Sequence, residues 1–207
     1  MMQQQNPFGD VYQKYWDRRY SKFSKFDQGI QTDLEGLYSV GPEAVASNTA
    51  RKAGVKTIVD GFCGIGGNTI GFAKYADHVY AVEINHDRIK MAQHNLKVYG
   101  LDHKVTFIEG DYFEEVSKIK AEAVFIDPPW GGFEYVQKEK FTLHDFDPDG
   151  TKILDLAFIY FEKVIFRVPK NFDLLELQQF TKTYVVDDEL FEGKVPFRTV
   201  YFFDPIE

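Results

Sequence analysis

Acidic residues and glycines follow the first two predicted strands, where they could bind a small ligand. The segment from Asp60 to Asn68 reads Asp-Gly-Phe-Cys-Gly-Ile-Gly-Gly-Asn and joins a predicted strand to a predicted helix. Glycines at such a turn let the backbone approach a ligand, and the helix N-terminus offers free N–H groups. Glu83 ends the next strand, where a carboxylate can accept hydrogen bonds from both hydroxyls of a ribose. The pattern predicts a nucleoside-type site.

The glycine segment does not match the usual phosphate-binding loops. A dinucleotide fingerprint starting at Gly64 would need glycine at position 69, where the chain has Thr69, and no Lys-Ser or Lys-Thr pair completes a Walker loop. The Asp60 carboxylate would repel a pyrophosphate, whereas it suits the sulfonium and amino group of S-adenosylmethionine. Asp111, after the third strand, could accept from the adenine amine. We therefore predict S-adenosylmethionine as the cofactor; the alternative is that these residues only shape a tight turn.

A second motif, Asp127-Pro-Pro-Trp130, follows the apolar run Ala-Val-Phe-Ile of the fourth predicted strand. This arrangement is typical of methyltransferases that act on an exocyclic amine conjugated to a ring. Such an amine is a poor nucleophile, so the enzyme must hold its N–H groups and turn its lone pair toward the methyl donor. The Asp127 side chain and the Pro128 carbonyl are the predicted acceptors, and Trp130 supplies a stacking face. Catalysis is then mostly alignment.

The elements that must position these residues alternate between strand and helix from residue 55 onward. Strands are predicted at 55–59, 79–84, 105–108, 123–126, 164–168, 184–186 and 199–203. Helices are predicted at 68–75, 86–99, 154–161 and 174–180. Such alternation predicts an α/β fold with a seven-stranded, mainly parallel sheet covered by helices on both faces. The final two strands predict an antiparallel hairpin, which is typical of class I, Rossmann-like methyltransferases. Residues 1–54 are predicted to form a helical extension packed on the methyltransferase domain of residues 55–207.

Composition limits the classes of function that the chain can have. Among 207 residues, 44% are hydrophobic and 27% are charged, which is ordinary for a globular protein. The net charge is −8, made of +2 in residues 1–56 and −10 in the rest, so a protein that tracks a long nucleic-acid backbone is disfavoured. The single cysteine, Cys63, excludes an internal disulfide. We expect an intracellular protein with no signal peptide, no membrane segment and no metal.

Several longer stretches resemble the trimethylguanosine synthase family, whose members methylate the N2 amine of a 7-methylguanosine RNA cap. The stretches run over residues 14–20 (KYWDRRY), 23–30 (FSKFDQGI), 39–43 (SVGPE), 60–70 (DGFCGIGGNTI) and 127–132 (DPPWGG), followed by Tyr135. The resemblance covers the chain from about residue 10 to its end. It implies S-adenosylmethionine as cofactor, capped RNA of the small nuclear or nucleolar type as partner, a nuclear location and a monomer.

The resemblance also implies which residues form each part of the site. The catalytic set is Asp127, Pro128 and Trp130. The cofactor set is Ser39, Gly41, Pro42, Asp60, Gly61, Cys63, Gly64, Gly66, Asn68, Glu83, Ile84, Asp111 and Tyr112, with Cys63 expected to be a small packing residue of the loop. The cap set is Lys14, Phe23, Ser39, Asn95, Trp130, Tyr135 and Lys170; Trp130 would stack on 7-methylguanine, and Lys14, Tyr135 and Lys170 would meet the phosphates.

Three residues depart from the family pattern. Gly41 stands where members commonly have threonine, Asp127 where they often have serine, and Glu83 where they usually have aspartate. Two other functions stay open: an adenine-N6 or guanine-N2 methyltransferase of internal bases, and a cap-binding module without activity. The acidic balance of residues 57–207 disfavours the first, and the complete cofactor loop disfavours the second.

Overall fold

The computed structural model describes residues 5–203, apart from the side chains of residues 133 and 134. Residues 1–4 and 204–207, which the two predicted segments include, lie outside the described residues. A seven-stranded sheet forms the centre of the protein, with the strand order β3-β2-β1-β4-β5-β7-β6. The strands are β1 Thr57–Asp60, β2 His78–Glu83, β3 Val105–Glu109, β4 Ala123–Ile126, β5 Lys163–Pro169, β6 Thr183–Asp188 and β7 Phe197–Phe203.

The first five strands are parallel, and β7 is antiparallel to both β5 and β6. The α/β fold class, the strand number and the terminal hairpin are therefore confirmed. The boundaries moved by up to two residues, because apolar runs indicate a strand more reliably than its ends. The largest change is at β6 and β7, where polar and charged residues extend strands that were predicted from their apolar centres.

Both faces of the sheet are buried. Successive side chains of a strand point to opposite faces, so each strand contributes apolar residues to two cores. On one face, Val59 and Val124 pack in a core with residues of the helix Gly150–Tyr160. On the other face, Ile58 and Phe125 pack in a second core with residues of the N-terminal helices. The near-continuous apolar strands are thus what a doubly covered parallel sheet requires.

Eight α-helices accompany the sheet within residues 5–203. They are α1 Gln13–Trp16, α2 Arg19–Lys22, α3 Leu34–Ser39, α4 Glu43–Ala53, α5 Gly67–Ala73, α6 His86–Tyr99, α7 Tyr112–Glu115 and α8 Gly150–Tyr160. Helix α6 has the predicted bounds. Helix α8 starts four residues earlier than predicted, because the Asp149 side chain caps it by accepting from the Thr151 and Lys152 amides. The helix predicted at 174–180 is the 3₁₀ helix Leu174–Gln179.

The N-terminal extension consists of short helices whose aromatic residues join the sheet core. Trp16, Phe23 and Phe26 are at most 6% exposed and pack in the same core as Ile58 and Ile70. The division at residue 54 stays a prediction. These contacts bring the extension onto the face of the sheet that carries α5.

No helix in residues 5–203 is both long and apolar enough to cross a membrane. Within the same residues, no three His, Cys, Asp or Glu side chains come together in a group able to hold a metal ion.

Candidate active site

The carboxyl ends of the parallel strands bring the predicted acids to one edge of the sheet. Asp60 lies beside Ala81 of β2 and Phe125 of β4 in the strand register. Glu83 ends β2, and Asp127 follows β4 directly. The acids that follow the predicted strands therefore lie at one edge of the sheet.

Asp60 is fully buried, and one oxygen of its carboxylate has no partner. Thr69 Oγ1 donates to Asp60 Oδ2 at 2.6 Å, whereas Asp60 Oδ1 has no hydrogen bond within the described residues. Burial raises the pKa of Asp60 to about 7, with Asp127 and Glu83 adding to the increase and Thr69 and Arg167 opposing it. Buried polar atoms are nearly always paired, so an unpaired carboxylate oxygen here fits a cationic or N–H-donating ligand.

Glu83 holds the glycine loop against β2. Its two carboxylate oxygens accept from the Gly64 amide and the Asn85 amide, each at 2.8 Å. Each oxygen retains a lone pair that a ribose hydroxyl could use. Next to it, Ile84 is 69% exposed, so an apolar surface lies open beside the carboxylate. The glutamate, where the family usually has aspartate, still reaches the loop.

The glycine loop needs backbone angles that other residues rarely adopt. Gly64 has φ of +54° and Gly66 has φ of +90°, and Gly66 is the N-cap of α5. A Cβ on Gly66 would also lie 3.0 Å from a methyl group of Leu96. Cys63 is 5% exposed and packs against Ala81 and Ala92, and burial raises the pKa of its thiol. The expectation of a packing cysteine is confirmed.

Asp111 and Tyr112 occupy different surroundings. Asp111 is the N-cap of α7, and its Oδ1 accepts from the Phe113 amide at 2.9 Å. The Tyr112 ring is 3% exposed and stacks on Phe62 with centroids 5.0 Å apart, while its hydroxyl donates to the Ile153 carbonyl. The Tyr112 ring therefore belongs to the core under α8, and the predicted contact of this residue with the cofactor stays a prediction.

Asp127 is bound by two side chains, one of which the sequence analysis missed. Asn68 Nδ2 donates to Asp127 Oδ2 at 3.1 Å, and Arg167 Nη1 donates to the same oxygen at 3.2 Å. Asn68 therefore lies beside the predicted catalytic acid. Arg167 has a signal in the sequence, because an arginine within an apolar strand is rarely buried unless it is paired.

Trp130 is half-buried and has two aromatic rings beside it, both steeply inclined to its plane. The Tyr135 ring is 5.1 Å away at 80°, and the Phe197 ring is 6.3 Å away at 66°. Trp130 Nε1 is buried and has no hydrogen-bond partner within residues 5–203. Pro128 is buried beside it. Burial raises the pKa of Tyr135, and the electrostatic effects of Tyr15 and Asp127 add to the increase.

Residues 38–42, which belong to the N-terminal extension, lie beside the site. Ser39 is exposed, while Gly41 and Pro42 are half-buried. A Cβ on Gly41 would lie 3.2 Å from the Phe197 ring and 3.7 Å from Arg167 Nη1. Glycine here therefore leaves room for the Phe197 ring. Lys22 holds the segment by donating to the Val40 and Tyr38 carbonyls.

Two residues predicted to line the cap pocket are core residues instead. Phe23 is 2% exposed among the aromatic residues of the extension. Asn95 is fully buried; its Nδ2 donates to the Ile65 and Gln31 carbonyls, and its Oδ1 accepts from the Gln31 amide at 2.8 Å. The N–H and C=O groups of the Asn95 side chain all bond to backbone atoms. Asn95 therefore links the extension to the cofactor loop and does not face an open pocket.

The predicted phosphate ligands lie on the surface. Lys14 and Lys170 are exposed, as a phosphate ligand must be. Next to Lys170, Asn171 Nδ2 donates to the Tyr135 carbonyl at 3.1 Å and to the Lys138 carbonyl at 2.9 Å. Asn171 therefore anchors the 3₁₀ helix Gly132–Gln137, which carries Tyr135. The binding roles of the two lysines stay predictions.

Comparison with known proteins decides the family. A model described as RNA cap guanine-N2 methyltransferase matches residues 55–192. The chain belongs to this family. Trimethylguanosine synthase of Schizosaccharomyces pombe is 37% identical over 211 residues, covering 95% of this chain and 87% of that protein. Trimethylguanosine synthase of Saccharomyces cerevisiae is also 37% identical, covering 82% of this chain and 58% of that protein.

Solved structures agree on the fold. A methyltransferase from Porphyromonas gingivalis W83 superposes with a TM-score of 0.75 at 17% identity, covering 96% of this chain and 52% of that chain. An S-adenosylmethionine-dependent O-methyltransferase from Thermotoga maritima superposes with a TM-score of 0.61 at 16% identity, covering 88% and 71% of the two chains. At these identities the likeness concerns the fold alone.

The family assignment confirms the predicted enzyme class, an S-adenosylmethionine-dependent RNA cap guanosine-N2 methyltransferase. The described residues fit this cofactor. Asp60 offers an unpaired buried carboxylate oxygen, Glu83 offers a carboxylate at the end of β2, and the glycine loop brings backbone close to both.

Cofactor binding by this cap methyltransferase should release protons below neutral pH. The pKa of Asp60 is about 7 in the ligand-free protein, so at pH 6 most molecules carry a neutral Asp60 that a cationic ligand must ionise. We expect affinity for S-adenosylmethionine to fall about tenfold per pH unit below 7. Calorimetry at pH 6 in buffers of different ionisation enthalpy should show proton release, and the Asp60→Asn variant should not show it. Equal proton release in the two proteins would contradict this role of Asp60.

The same shift makes the ligand-free protein lose stability as pH rises. Between its ordinary pKa of 3.8 and about 7, Asp60 is protonated in the folded state and ionised in the unfolded state. The folded state then binds more protons, so this group lowers the free energy of unfolding as pH rises through that window.

Proposed function

We propose that this enzyme methylates the N2 amine of 7-methylguanosine in RNA caps, giving 2,7-dimethyl- and 2,2,7-trimethylguanosine. One observation carries the proposal: Asp127, an acceptor suited to an amine, lies at the same strand edge as the unpaired oxygen of Asp60. Such an arrangement places an amine acceptor next to a site for a cationic methyl donor. The substrate would be capped RNA of the small nuclear or nucleolar type, and the enzyme would act as a nuclear monomer.

The proposed chemistry depends on orientation rather than on a strong base. S-adenosylmethionine supplies an electrophilic methyl group when it is bound by Asp60, Glu83 and the glycine loop. The Asp127 carboxylate and the Pro128 carbonyl accept from the N2 amine, whose lone pair is delocalised into the guanine ring. Holding both N–H groups turns the lone pair toward the methyl group and removes the entropic cost of alignment. As the N–CH3 bond forms, the S–CH3 bond breaks and the donor would leave as a neutral thioether. The methylated nitrogen is then positively charged and passes its proton to the Asp127 carboxylate or to water.

The aromatic residues around Trp130 support selection of a charged ring. A 7-methylguanine ring is cationic, so it binds a tryptophan face by stacking and by cation–π attraction. Tyr135 and Phe197 pack against the indole at steep angles and so help to fix its plane. Lys14 and Lys170 would neutralise the cap phosphates, and Tyr135 would donate to them, which accounts for separate surface lysines on an acidic protein.

Mass spectrometry of small caps tests this proposal. Incubation with S-adenosylmethionine should add methyl groups to 7-methyl-GDP and to a 7-methylguanosine cap, whereas GDP should react at least about tenfold more slowly. Loss of the ring charge removes a cation–π contribution of about 0.5–2 kcal/mol and the increase in N–H acidity. Product masses report whether one methyl or two are added.

Two further results bear on the same proposal. The rate should decrease as salt increases, but less steeply than for a protein that contacts many phosphates, because only a few lysines are involved. Equal turnover of methylated and unmethylated caps, or transfer only to an internal adenine, would contradict the proposed selection of the charged ring.

A further inference from the structure

A positively charged side chain of strand β5 is buried next to the proposed catalytic acid. Arg167 occupies the middle of β5, is 1% exposed, and is opposite Thr199 of β7 in the register. Burying a guanidinium is costly unless charges and hydrogen bonds compensate for the lost water. The groups that Arg167 contacts must therefore compensate for the water that its guanidinium has lost.

The guanidinium of Arg167 is held by hydrogen bonds and by contacts with two aromatic rings. Nη1 donates to Asn68 Oδ1 at 2.6 Å and to Asp127 Oδ2 at 3.2 Å, and Nη2 donates to Thr49 Oγ1 at 3.2 Å. The Phe125 and Phe197 rings lie 4.8 Å and 4.6 Å from its central carbon. Within residues 5–203, Asp127 is the carboxylate with which it forms an ion pair.

The hydrogen bonds to Asp127 leave one of its oxygens available. Asn68 and Arg167 both donate to Oδ2, and Asn68 also accepts from Arg167, so the three side chains form a closed set. In the described part of the chain, no hydrogen bond ends on Asp127 Oδ1. The closed set therefore orients the carboxylate with Oδ1 available for a substrate amine.

Burial and the surrounding charged groups both affect the ionisation of Asp127. Burial raises its pKa, and Arg167 is the strongest influence in the opposite direction. Asp127 raises the pKa of Asp60 at the end of β1 and that of Tyr135 on the 3₁₀ helix Gly132–Gln137, so both groups interact with it electrostatically. Asn68 on α5 is neutral. Arg167 is thus the cation that compensates for the burial of Asp127.

We propose that Arg167 is a positioning residue for methyl transfer, which keeps Asp127 ionised and directs its Oδ1 to the acceptor amine. The proposal rests on the proposed role of Asp127. It does not place Arg167 in contact with substrate or cofactor. A merely structural arginine would stabilise β5 and Thr49 without affecting the ionisation of Asp127.

The Arg167→Met variant tests the proposal through the pH profile of kcat. Without the guanidinium, the acidic limb of the profile should move up by about one pH unit or more, and kcat at pH 7 should fall about tenfold or more. Because Arg167 also lowers the pKa of Asp60, affinity for S-adenosylmethionine is compared at about pH 9, where it should change by less than about threefold. Thr49→Val is the matched control, because it removes the Nη2 bond and leaves the bonds to Asp127 intact; its pH midpoint should be unchanged.

A double-mutant cycle separates positioning from folding. In an Asp127→Asn background the acid is neutral, so Arg167→Met should cost at least about fivefold less in kcat than it does in the natural sequence. If the methionine variant does not fold, Arg167→Lys provides the test. Lysine keeps the positive charge but lacks the planar guanidinium with its fixed set of N–H donors. Its midpoint should stay within about half a pH unit of the natural enzyme while kcat decreases. An unchanged midpoint in Arg167→Met with equal costs in both backgrounds would overturn the proposal.

A titration without turnover distinguishes failure of this inference from failure of the proposed function. Carbon-13 NMR of the Asp127 carboxyl group reports its pKa in the natural protein and in Arg167→Met. An upward shift in the variant supports the inference even if cap methylation is not observed. An unchanged carboxyl pKa overturns it even if the natural enzyme methylates caps.

Discussion

The Asp127→Ala variant is expected to lose methyl transfer by about 10²–10³-fold in kcat, the range seen when one charge-stabilising hydrogen bond is removed from a water-poor active site. The alanine cannot accept from the N2 amine, so the lone pair is no longer held toward the methyl donor. The Arg167 guanidinium also loses its carboxylate partner. Single-turnover measurement of labelled methyl transfer to 7-methyl-GDP checks the result.

Two comparisons show whether the loss is chemical. Asp127→Asn keeps an acceptor oxygen in the same place and should retain partial activity. Cofactor affinity should not fall in either variant, because Asp60 and Glu83 are retained and loss of the Asp127 charge makes Asp60 easier to ionise. Full activity of the alanine variant would remove Asp127 from the mechanism. A lower melting temperature with normal activity per folded molecule would assign it a role in folding alone.

The Trp130→Ala variant is expected to lose cap binding while S-adenosylmethionine binding persists. Stacking of a base on an aromatic side chain contributes about 1–3 kcal/mol, so the Kd for 7-methyl-GDP should increase roughly 5- to 150-fold. The indole is half-buried, and the two rings beside it are steeply inclined to its plane rather than stacked parallel on it. Calorimetry with 7-methyl-GDP and with GDP measures the loss and its dependence on ring charge.

The second tryptophan provides a matched control and a probe. Trp16 is 6% exposed in the core of the extension, so Trp16→Phe should leave cap affinity unchanged. In that variant the remaining tryptophan fluorescence comes from Trp130 and should be quenched when 7-methyl-GDP binds. Trp130→Phe keeps a smaller stacking face and should have intermediate affinity. Unchanged affinity in Trp130→Ala would mean that the indole is a packing residue and that the cap binds elsewhere.

The sequence by itself determined the sheet and the positions of its acids. Alternating strand and helix patterns dictate parallel strands, and the carboxyl ends of parallel strands meet at one edge. Asp60, Glu83 and Asp127 each follow an apolar run directly, so their neighbourhood follows from their places in the chain. Gly64 and Gly66 were recognisable for a similar local reason, because the positive φ angles of this turn favour glycine.

Only the tertiary structure decided which side chains face the site and which are buried behind it. The family resemblance implied that Phe23 and Asn95 belong to the cap pocket, yet the packing of the extension on α6 and the sheet buries both. Arg167 is 40 residues beyond Asp127, and it reaches that acid because β4 and β5 are neighbours in the sheet. Burial and ion pairing depend on contacts between distant segments, which local sequence patterns do not encode.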